Sequence, residues 1–216
     1  CRDVSSKYTR RGYEEYRKIA EYIAKMSWQK KGNYMVFFPS YRLMEDVYQV
    51  YQEEFYASWV RCISQHASMT ELEREEFLEE FSEESDETLV GFCVMGGIFS
   101  EGIDLIGDRL IGAAVVGTGL PQVNCEREIL KDYYDEKGEQ GFDYAYRYPG
   151  MNKVLQAAGR VIRTKEDNGT ILLMDERFLN RDYRGLFPRE WNDAGTCTLG
   201  NVEKCLGEFW NRPDEK

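Results

Sequence analysis

The stretch "GNYMVFFPSYRLMEDVYQVYQEEF", residues 32–55, contains the pattern that decides the fold. Its residues 34–38 are an unbroken apolar run with aromatic and β-branched side chains, which is typical of a short buried strand. Pro39 and Ser40 follow at once, and apolar residues then recur at helical spacing through residues 41–55. A strand, a turn with a serine and a helix, in this order, predict a βα unit.

The same alternation continues on both sides of this unit. Residues 11–26 have the spacing of an amphipathic helix, and Thr70 with Glu73 forms a capping-box pattern at the start of another. Further strands are predicted at 57–63, 88–97, 111–118 and 169–175, and further helices at 69–87, 122–141, 151–163 and 199–212. Strands this apolar, alternating with helices, predict an α/β fold with a mostly parallel sheet covered on both faces. The chain has neither an internal repeat nor a low-complexity linker, so one domain spanning residues 1–216 is expected.

Composition limits the classes of function. The chain has 216 residues, 42% of them hydrophobic, and a formal net charge of -11. Such acidity argues against a protein that coats nucleic acid with its whole surface, but it allows a local groove for phosphates. No run approaches the ~20 apolar residues that span a bilayer.

The spacing of the cysteines indicates a reducing compartment, and the first residues of the chain indicate a piece of a longer protein. The six cysteines are widely spaced and include no C-x-x-C pair, which favours scattered buried thiols in a reducing cytoplasm over a zinc or iron–sulfur site. His66 is the only histidine, and we expect it to be structural. The chain starts at Cys1 without a methionine or a signal-peptide core, so a piece of a longer protein is expected.

Three segments stand out as carriers of chemistry, and each is expected just after a predicted strand, at the carboxyl ends where open α/β sheets bind ligands. The first is "FFPSYRLMED", residues 37–46. Ser40 can cap the helix that follows, and the positive end of that helix suits a phosphate. The alternative, which the local sequence favours, is an ordinary cap with Tyr41 packed on the surface.

The second segment is "GGIFSEGIDLIGDRL", residues 96–110. Gly96 and Gly97 end a predicted strand, and Gly102 permits a tight turn before Asp104. The carboxylate of Asp104 could orient a guanidinium group or a ribose hydroxyl, and a plain glycine-rich connection with solvated acids is an equally good interpretation. The chain lacks the Gly-x-x-x-x-Gly-Lys-[Ser/Thr] phosphate loop.

The third segment is "QAAGRVIRTKEDNGTILLMDERF", residues 156–178. Gln156, Gly159, Arg160 and Arg163 span about two helical turns and are predicted to share one side of a helix. Arginine suits charge that spreads over a transferring phosphoryl group, because its planar fork stays ionised. The alternative is a helix edge whose arginines pair with the many carboxylates. Apolar contacts are expected from four neighbours: Val154, Leu155, Val161 and Ile162.

Together and in this order, the segments resemble the C-terminal RecA-like motor domain of superfamily 2 DNA helicases of the XPD/DinG type. "GNYMVFFPSY" is similar to motif IV of that family, "GGIFSEGIDLIGD" to motif V, and "QAAGRVIRTKEDNGTILLMDERF" to motif VI with its following strand. The tripeptide "GLP" within "VVGTGLP", residues 115–121, also fits. The resemblance covers roughly Tyr8 to Leu186 and implies a P-loop NTPase-type fold without a P-loop of its own.

The resemblance implies roles for the matching residues on the nucleotide side. Arg160 and Arg163 would act as arginine fingers on the β- and γ-phosphates of ATP held by the first motor domain. Gln156 would help to organise the same side of the ATP cleft. The ATP cleft would be lined by four residues: Glu101, Gly102, Asp104 and Gly159.

The resemblance also implies contacts to single-stranded DNA. Pro39, Ser40, Tyr41 and Ser100 would lie on the face that tracks the strand. Arg10 and Arg42 are weaker candidates for that face.

The implied partners are single-stranded DNA and the first motor domain of the same chain, and no membrane is involved. ATP and Mg²⁺ would be bound mainly by that other domain, because the Walker A lysine and the Mg²⁺-binding acidic motif are missing here. The isolated piece is therefore expected to hydrolyse negligible ATP. The family suggests 5′→3′ translocation and, for a bacterial member, the cytoplasm.

Three other functions remain open on this sequence. The same motor could belong to a translocase that strips proteins without unwinding, or to a nuclease-fused helicase. A different class would be a non-catalytic α/β interaction domain whose arginine face is a docking surface.

Overall fold

The computed structural model describes residues 1–81, 86–97, 99, 105, 107–162 and 167–212. They contain a five-stranded sheet in the order β2-β3-β1-β4-β5, and every neighbouring pair is parallel. The strands are β1 (Asn33–Phe38), β2 (Val60–Ser64), β3 (Thr88–Val94), β4 (Gly112–Val116) and β5 (Thr170–Met174). The predicted α/β class with a parallel sheet is confirmed.

Seven α-helices connect and flank the strands in the described part of the chain. They are α1 (Tyr13–Gln29), α2 (Tyr41–Glu54), α3 (Glu71–Glu79), α4 (Cys125–Glu136), α5 (Tyr148–Ala158), α6 (Arg181–Arg184) and α7 (Val202–Trp210). A π-helical turn, Asp143–Arg147, leads into α5, and short 3₁₀ turns lie at Tyr8–Arg10, Gly107–Arg109, Glu176–Leu179 and Arg189–Trp191. None of these helices combines the length and apolar character needed to cross a bilayer.

The central strand β1 explains why both faces of the sheet are covered. All six of its residues are buried, and alternate side chains enter two separate cores. Val36 and Phe38 pack in the core under α1 and α2, whereas Met35 and Phe37 pack in the core under α3 and α5. An unbroken apolar run is the sequence expected of such a two-sided strand.

Two helix starts follow the predicted capping chemistry. The side chain of Ser40 accepts a hydrogen bond from the amide of Leu43 at the start of α2. Thr70 and Glu73 form the complete capping box at the start of α3. These local signals are readable in sequence because the partners are only three residues apart.

The helix predicted at 151–163 is wrong at both ends. It begins at Tyr148 and ends at Ala158, with Gly159 as its C-cap. The amides of Arg160 and Val161 then bond three residues back, to Ala157 and Ala158, which closes a tight turn. Glycine is a poor helix former, so the helix stops there and Arg160 follows it instead of continuing it.

Candidate functional site

The carboxyl ends of the parallel strands meet along one edge of the sheet, and main-chain bonds tie that edge together. The amide of Met95, just after β3, donates to the carbonyl of Phe38 at 2.8 Å. The amide of Gly117, just after β4, donates to the carbonyl of Met174 at 3.0 Å. The first residues of these connecting loops are therefore positioned by the sheet itself.

The turn after β1 presents the start of α2 at this edge. Pro39 and Ser40 are half-buried, and the Ser40 cap satisfies the amide of Leu43. The positive end of a 14-residue helix therefore lies beside Pro39, an arrangement that favours an anion. Arg42 lies in the first turn of α2 and is exposed.

Tyr41 is held more firmly than a surface aromatic residue. Its hydroxyl accepts a hydrogen bond from Gln65 Nε2 at 2.8 Å, and Gln65 Oε1 accepts one from the amide of Val94 at 2.9 Å. Gln65, directly after β2, is only 2% exposed. Burial raises the pKa of the Tyr41 phenol. Sequence reasoning missed Gln65, although a polar residue directly after a strand was a possible signal.

The loop after β4 packs directly on α5 because two glycines face each other. Gly119 has φ +66, and a Cβ on it would lie 2.5 Å from the carbonyl oxygen of Gly150. A Cβ on Gly150 would in turn lie 2.7 Å from the carbonyl oxygen of Thr118. The first half of α5 is thereby fixed at the carboxyl edge of the sheet.

A cavity of about 190 Å³ opens at this edge, and sequence reasoning did not find it. Its walls are Pro39, Met95, Gly119, Leu120, Pro121, Gln122 and Lys153. Lys153 lies over Gly96, where an added Cβ would be 3.1 Å from Lys153 Cε and 3.4 Å from Nζ. Gly96 has φ +70, so both its backbone and this contact favour glycine.

The other end of α5 brings Arg160 to the opposite edge of the sheet. A Cβ on Gly169, just before β5, would lie 2.8 Å from the carbonyl oxygen of Ile111, just before β4, and it would also collide with Val161. The turn that carries Arg160 therefore lies at the amino ends of these strands. The expectation that all three segments lie at the carboxyl ends of strands is wrong for this one, because it precedes a strand.

The residues around Arg160 only partly match the predicted face. Val154 and Val161 are buried and Leu155 packs against the same core, but Ile162 is 44% exposed and adds no apolar contact to the core. Gln156 and Gly159 are exposed. Arg160 is half-buried, with its Nε shielded from solvent.

Six predicted site residues remain: five lie outside the described part of the chain, and Arg10 lies in the turn Tyr8–Arg10. Ser100, Glu101, Gly102, Asp104 and Arg163 lie outside the described residues. Arg10 is exposed in the turn before α1, with Nη2 at 3.7 Å from a carboxylate oxygen of Glu15.

The first residues of the chain are hydrogen-bonded to the segment at the carboxyl end of β5. Asp175 is 1% exposed, and its Oδ2 accepts hydrogen bonds from the amide and hydroxyl of Ser6 at 2.9 and 2.7 Å. Arg177 Nε donates to Asp175 Oδ1 at 2.8 Å. Burial raises the pKa of Asp175, but the bonds from Arg177 and Ser6 outweigh it and hold that pKa below its usual value. No pattern in the sequence predicts this cluster.

The cysteines are all free thiols. Cys93 is buried, but Cys125 and Cys205 are exposed, so the prediction that the thiols are buried is wrong for these two. His66 is exposed, with Nε2 3.9 Å from a carboxylate oxygen of Glu73.

The parallel sheet and its helical connections define a RecA-like α/β domain. Its candidate residues lie at two opposite edges of the sheet, with Pro39, Ser40 and Tyr41 at the carboxyl edge and Arg160 at the amino edge. The helicase C-terminal domain family matches residues 23–194, and the chain belongs to that family. Among curated relatives it is 29% identical to the ATP-dependent DNA helicase XPD of Sulfolobus acidocaldarius over 185 residues, 82% of this chain and 30% of that protein. It is also 29% identical to the regulator of telomere elongation helicase 1 homolog of Culex quinquefasciatus over 204 residues, 85% of this chain and 20% of that protein.

A solved structure of an XPD helicase has the same fold. It superimposes with a TM-score of 0.68 at 23% identity, covering 85% of this chain and 32% of the solved one. The RecA-like fold and the resemblance to the C-terminal motor domain of XPD-type helicases are confirmed, whereas the DinG likeness stays a prediction. The chain spans about a third or less of the length of these relatives.

Proposed function

We propose that this chain is the second motor domain of an ATP-dependent DNA helicase. Its relatives named above are helicases, one of them ATP-dependent and acting on DNA. In the proposed mechanism, Arg160 and Arg163 stabilise charge on the phosphates of ATP that a first motor domain binds with Mg²⁺. Gln156, Gly159 and the segment with Glu101, Gly102 and Asp104 complete that cleft.

The DNA side of the proposal lies at the other edge of the sheet. Pro39, Ser40 and Tyr41 form the turn at the start of α2, where a helix N-terminus favours phosphates. Ser100 and the exposed Arg42 would extend this contact, and Arg10 is a more distant candidate. Because the chain carries a net charge of -11, DNA would be gripped in a groove shared between two domains.

The observation that carries the proposal is that α5 spans the sheet between these two ends. Gly150, near its start, packs on the loop after β4, and Arg160 follows its end. A helix of 11 residues is about 16 Å long, at 1.5 Å per residue. In this proposal one rigid element joins the nucleotide-side and DNA-side residues, so that closure at one end would move the other.

The test is the complete helicase with Arg160→Ala. An arginine finger accelerates phosphoryl transfer by about 10³-fold or more, so ATP hydrolysis should fall by that order while single-stranded DNA binding stays at the wild-type level. Arg189→Ala, an exposed arginine in the turn Arg189–Trp191, is the matched control and should hydrolyse ATP normally. An Arg160→Ala protein with normal hydrolysis would refute the finger.

A further inference from the structure

We propose that the cavity beside Lys153 is a subsite that binds one phosphate group of single-stranded DNA, a contact that rests on the proposed function. The cavity lies at the carboxyl edge of the sheet, next to the turn that leads into α2. Lys153 supplies its positive charge.

Lys153 differs from the other lysines of the described part of the chain. Each of those either has a carboxylate oxygen within 4.0 Å or lies over an aromatic ring. The carboxylate-paired ones are Lys7, Lys18, Lys25, Lys31, Lys131 and Lys204, and the ring-paired ones are Lys30 and Lys137. Within the described residues Lys153 has neither kind of partner. In a chain of net charge -11, an ammonium group that pairs with none of the described carboxylates is available for an external anion.

The position of Lys153 is fixed by the backbone beneath it. It lies three residues after Gly150 and so on the same side of α5, the side that packs on the loop after β4. Its side chain occupies the space that a Cβ on Gly96 would need, since that Cβ would lie 3.1 Å from Lys153 Cε. The ammonium group therefore belongs to the cavity wall and is not a freely moving surface charge.

The remaining walls suit an oxyanion. Gly119, Leu120 and Gln122 lie in the cavity wall, and their main-chain amides donate to no acceptor among the described residues. The Gln122 carboxamide adds further donors. Among the described residues, the cavity wall contains neither an aspartate nor a glutamate. Amides and an ammonium group without a carboxylate are the donor set of a phosphate site.

The volume and the position of the cavity favour a phosphate group of the DNA backbone as the ligand. A volume of about 190 Å³ is below the ~300 Å³ at which small-molecule pockets begin, so a phosphate group fits but a whole nucleotide does not. Pro39 lines the cavity and directly precedes the Ser40 cap of α2. Successive phosphates of one strand could therefore meet the helix start and then Lys153.

The first test compares Lys153→Gln with Lys204→Gln in the complete protein, using a labelled oligothymidylate over a series of salt concentrations. Lys204 lies on α7, and its replacement makes the same charge change. Lys153→Gln should weaken binding by about 10-fold and make the salt slope shallower by about 0.7, the value for one phosphate on a single strand. Lys204→Gln should change neither, and Lys153→Arg should keep most of the affinity. Equal binding by the two glutamine variants would overturn the proposal.

A second measurement does not depend on the folding of a variant. Acetylation of the wild-type protein by an amine-reactive reagent, mapped by mass spectrometry, should be slowed at Lys153 by the oligothymidylate and unchanged at Lys204. Protection of Lys153 by ATP or inorganic phosphate but not by the oligonucleotide would overturn the assignment to DNA. If the wild-type protein bound no single-stranded DNA at all, the proposed function would fail together with this subsite. Normal DNA binding without protection of Lys153 would remove only the subsite.

Discussion

The buried carboxylate of Asp175 accepts two hydrogen bonds from Ser6, a residue 169 positions earlier in the chain. The same carboxylate is bound by the guanidinium group of Arg177. Through this contact the first residues of the chain hold the carboxyl end of β5. The neighbouring loop is held as well, since a Cβ on Gly117 would lie 2.5 Å from Ser6 Oγ.

Replacing Asp175 by asparagine should destabilise the protein strongly. The side chain keeps its shape, but the half-buried guanidinium of Arg177 loses its counter-charge, a loss that costs up to about 3–5 kcal/mol where a pair is buried. The free energy of unfolding in urea measures this loss. Asp182→Asn is the control, because its ion pair with Arg147 is 61% exposed on the carboxylate side and should contribute under about 1 kcal/mol. Equal losses in the two variants would contradict the role given to burial.

The same carboxylate predicts how stability depends on pH. The pKa of Asp175 in the folded protein lies below its ordinary value of 3.8, since the bonds from Arg177 and Ser6 outweigh the effect of burial. Its contribution is therefore complete above pH 3.8 and is lost as the pH falls through the lower, folded-state pKa. Urea midpoints measured across this acid range should fall more steeply for the wild-type protein than for Asp175→Asn. Parallel pH profiles would show that Asp175 does not titrate differently on folding.

The close contact between Gly119 and Gly150 predicts an unusual effect of alanine in a helix. Alanine normally stabilises a helix relative to glycine by about 1 kcal/mol, but a Cβ on Gly150 would meet backbone atoms at 2.7 and 3.1 Å. Gly150→Ala should therefore lower the free energy of unfolding by about 1–3 kcal/mol. Gly207→Ala on α7 is the control, since its Cβ would meet only Gln29 Oε1 at 3.5 Å, and it should be neutral or stabilising. A stabilised Gly150→Ala protein would mean that the loop after β4 can move away from α5.

The sequence predicts those features whose partners are close along the chain. The apolar run of β1, the cap at Ser40 and the capping box of Thr70 are local patterns, so their prediction succeeded. The end of α5 at Gly159 was missed because the apolar spacing continues past it, although glycine at that point was a readable stop signal.

Other features depend on contacts that only the folded chain makes. Nothing local distinguishes Lys153 from a solvated helix lysine, because what sets it apart is the lack of an ion-pair or ring partner among the described residues of the folded chain. The Ser6–Asp175 contact joins residues that are 169 positions apart and has no sequence signature. The position of Arg160 at the amino edge follows from the crossover between parallel strands, since a helix that begins at the carboxyl edge must end at the other.

Hydrogen bonds connect Tyr41 through Gln65 to Val94. Variants of these residues can separate a contribution to stability from a contribution to DNA binding. Gln65→Leu would leave the buried amide of Val94 without its acceptor at 2.9 Å and should cost about 1–3 kcal/mol of unfolding free energy. It should also weaken single-stranded DNA binding, because the Tyr41 ring would no longer be fixed at the start of α2. Tyr41→Phe keeps the Val94 bond but loses the same hydrogen bond that fixes the ring, at 2.8 Å, so it should weaken DNA binding in the same way while costing about 1–2 kcal/mol of unfolding free energy. Urea unfolding and oligothymidylate titration of both variants check this. If Gln65→Leu lost stability but bound DNA with wild-type affinity, the fixed tyrosine would matter for the fold alone.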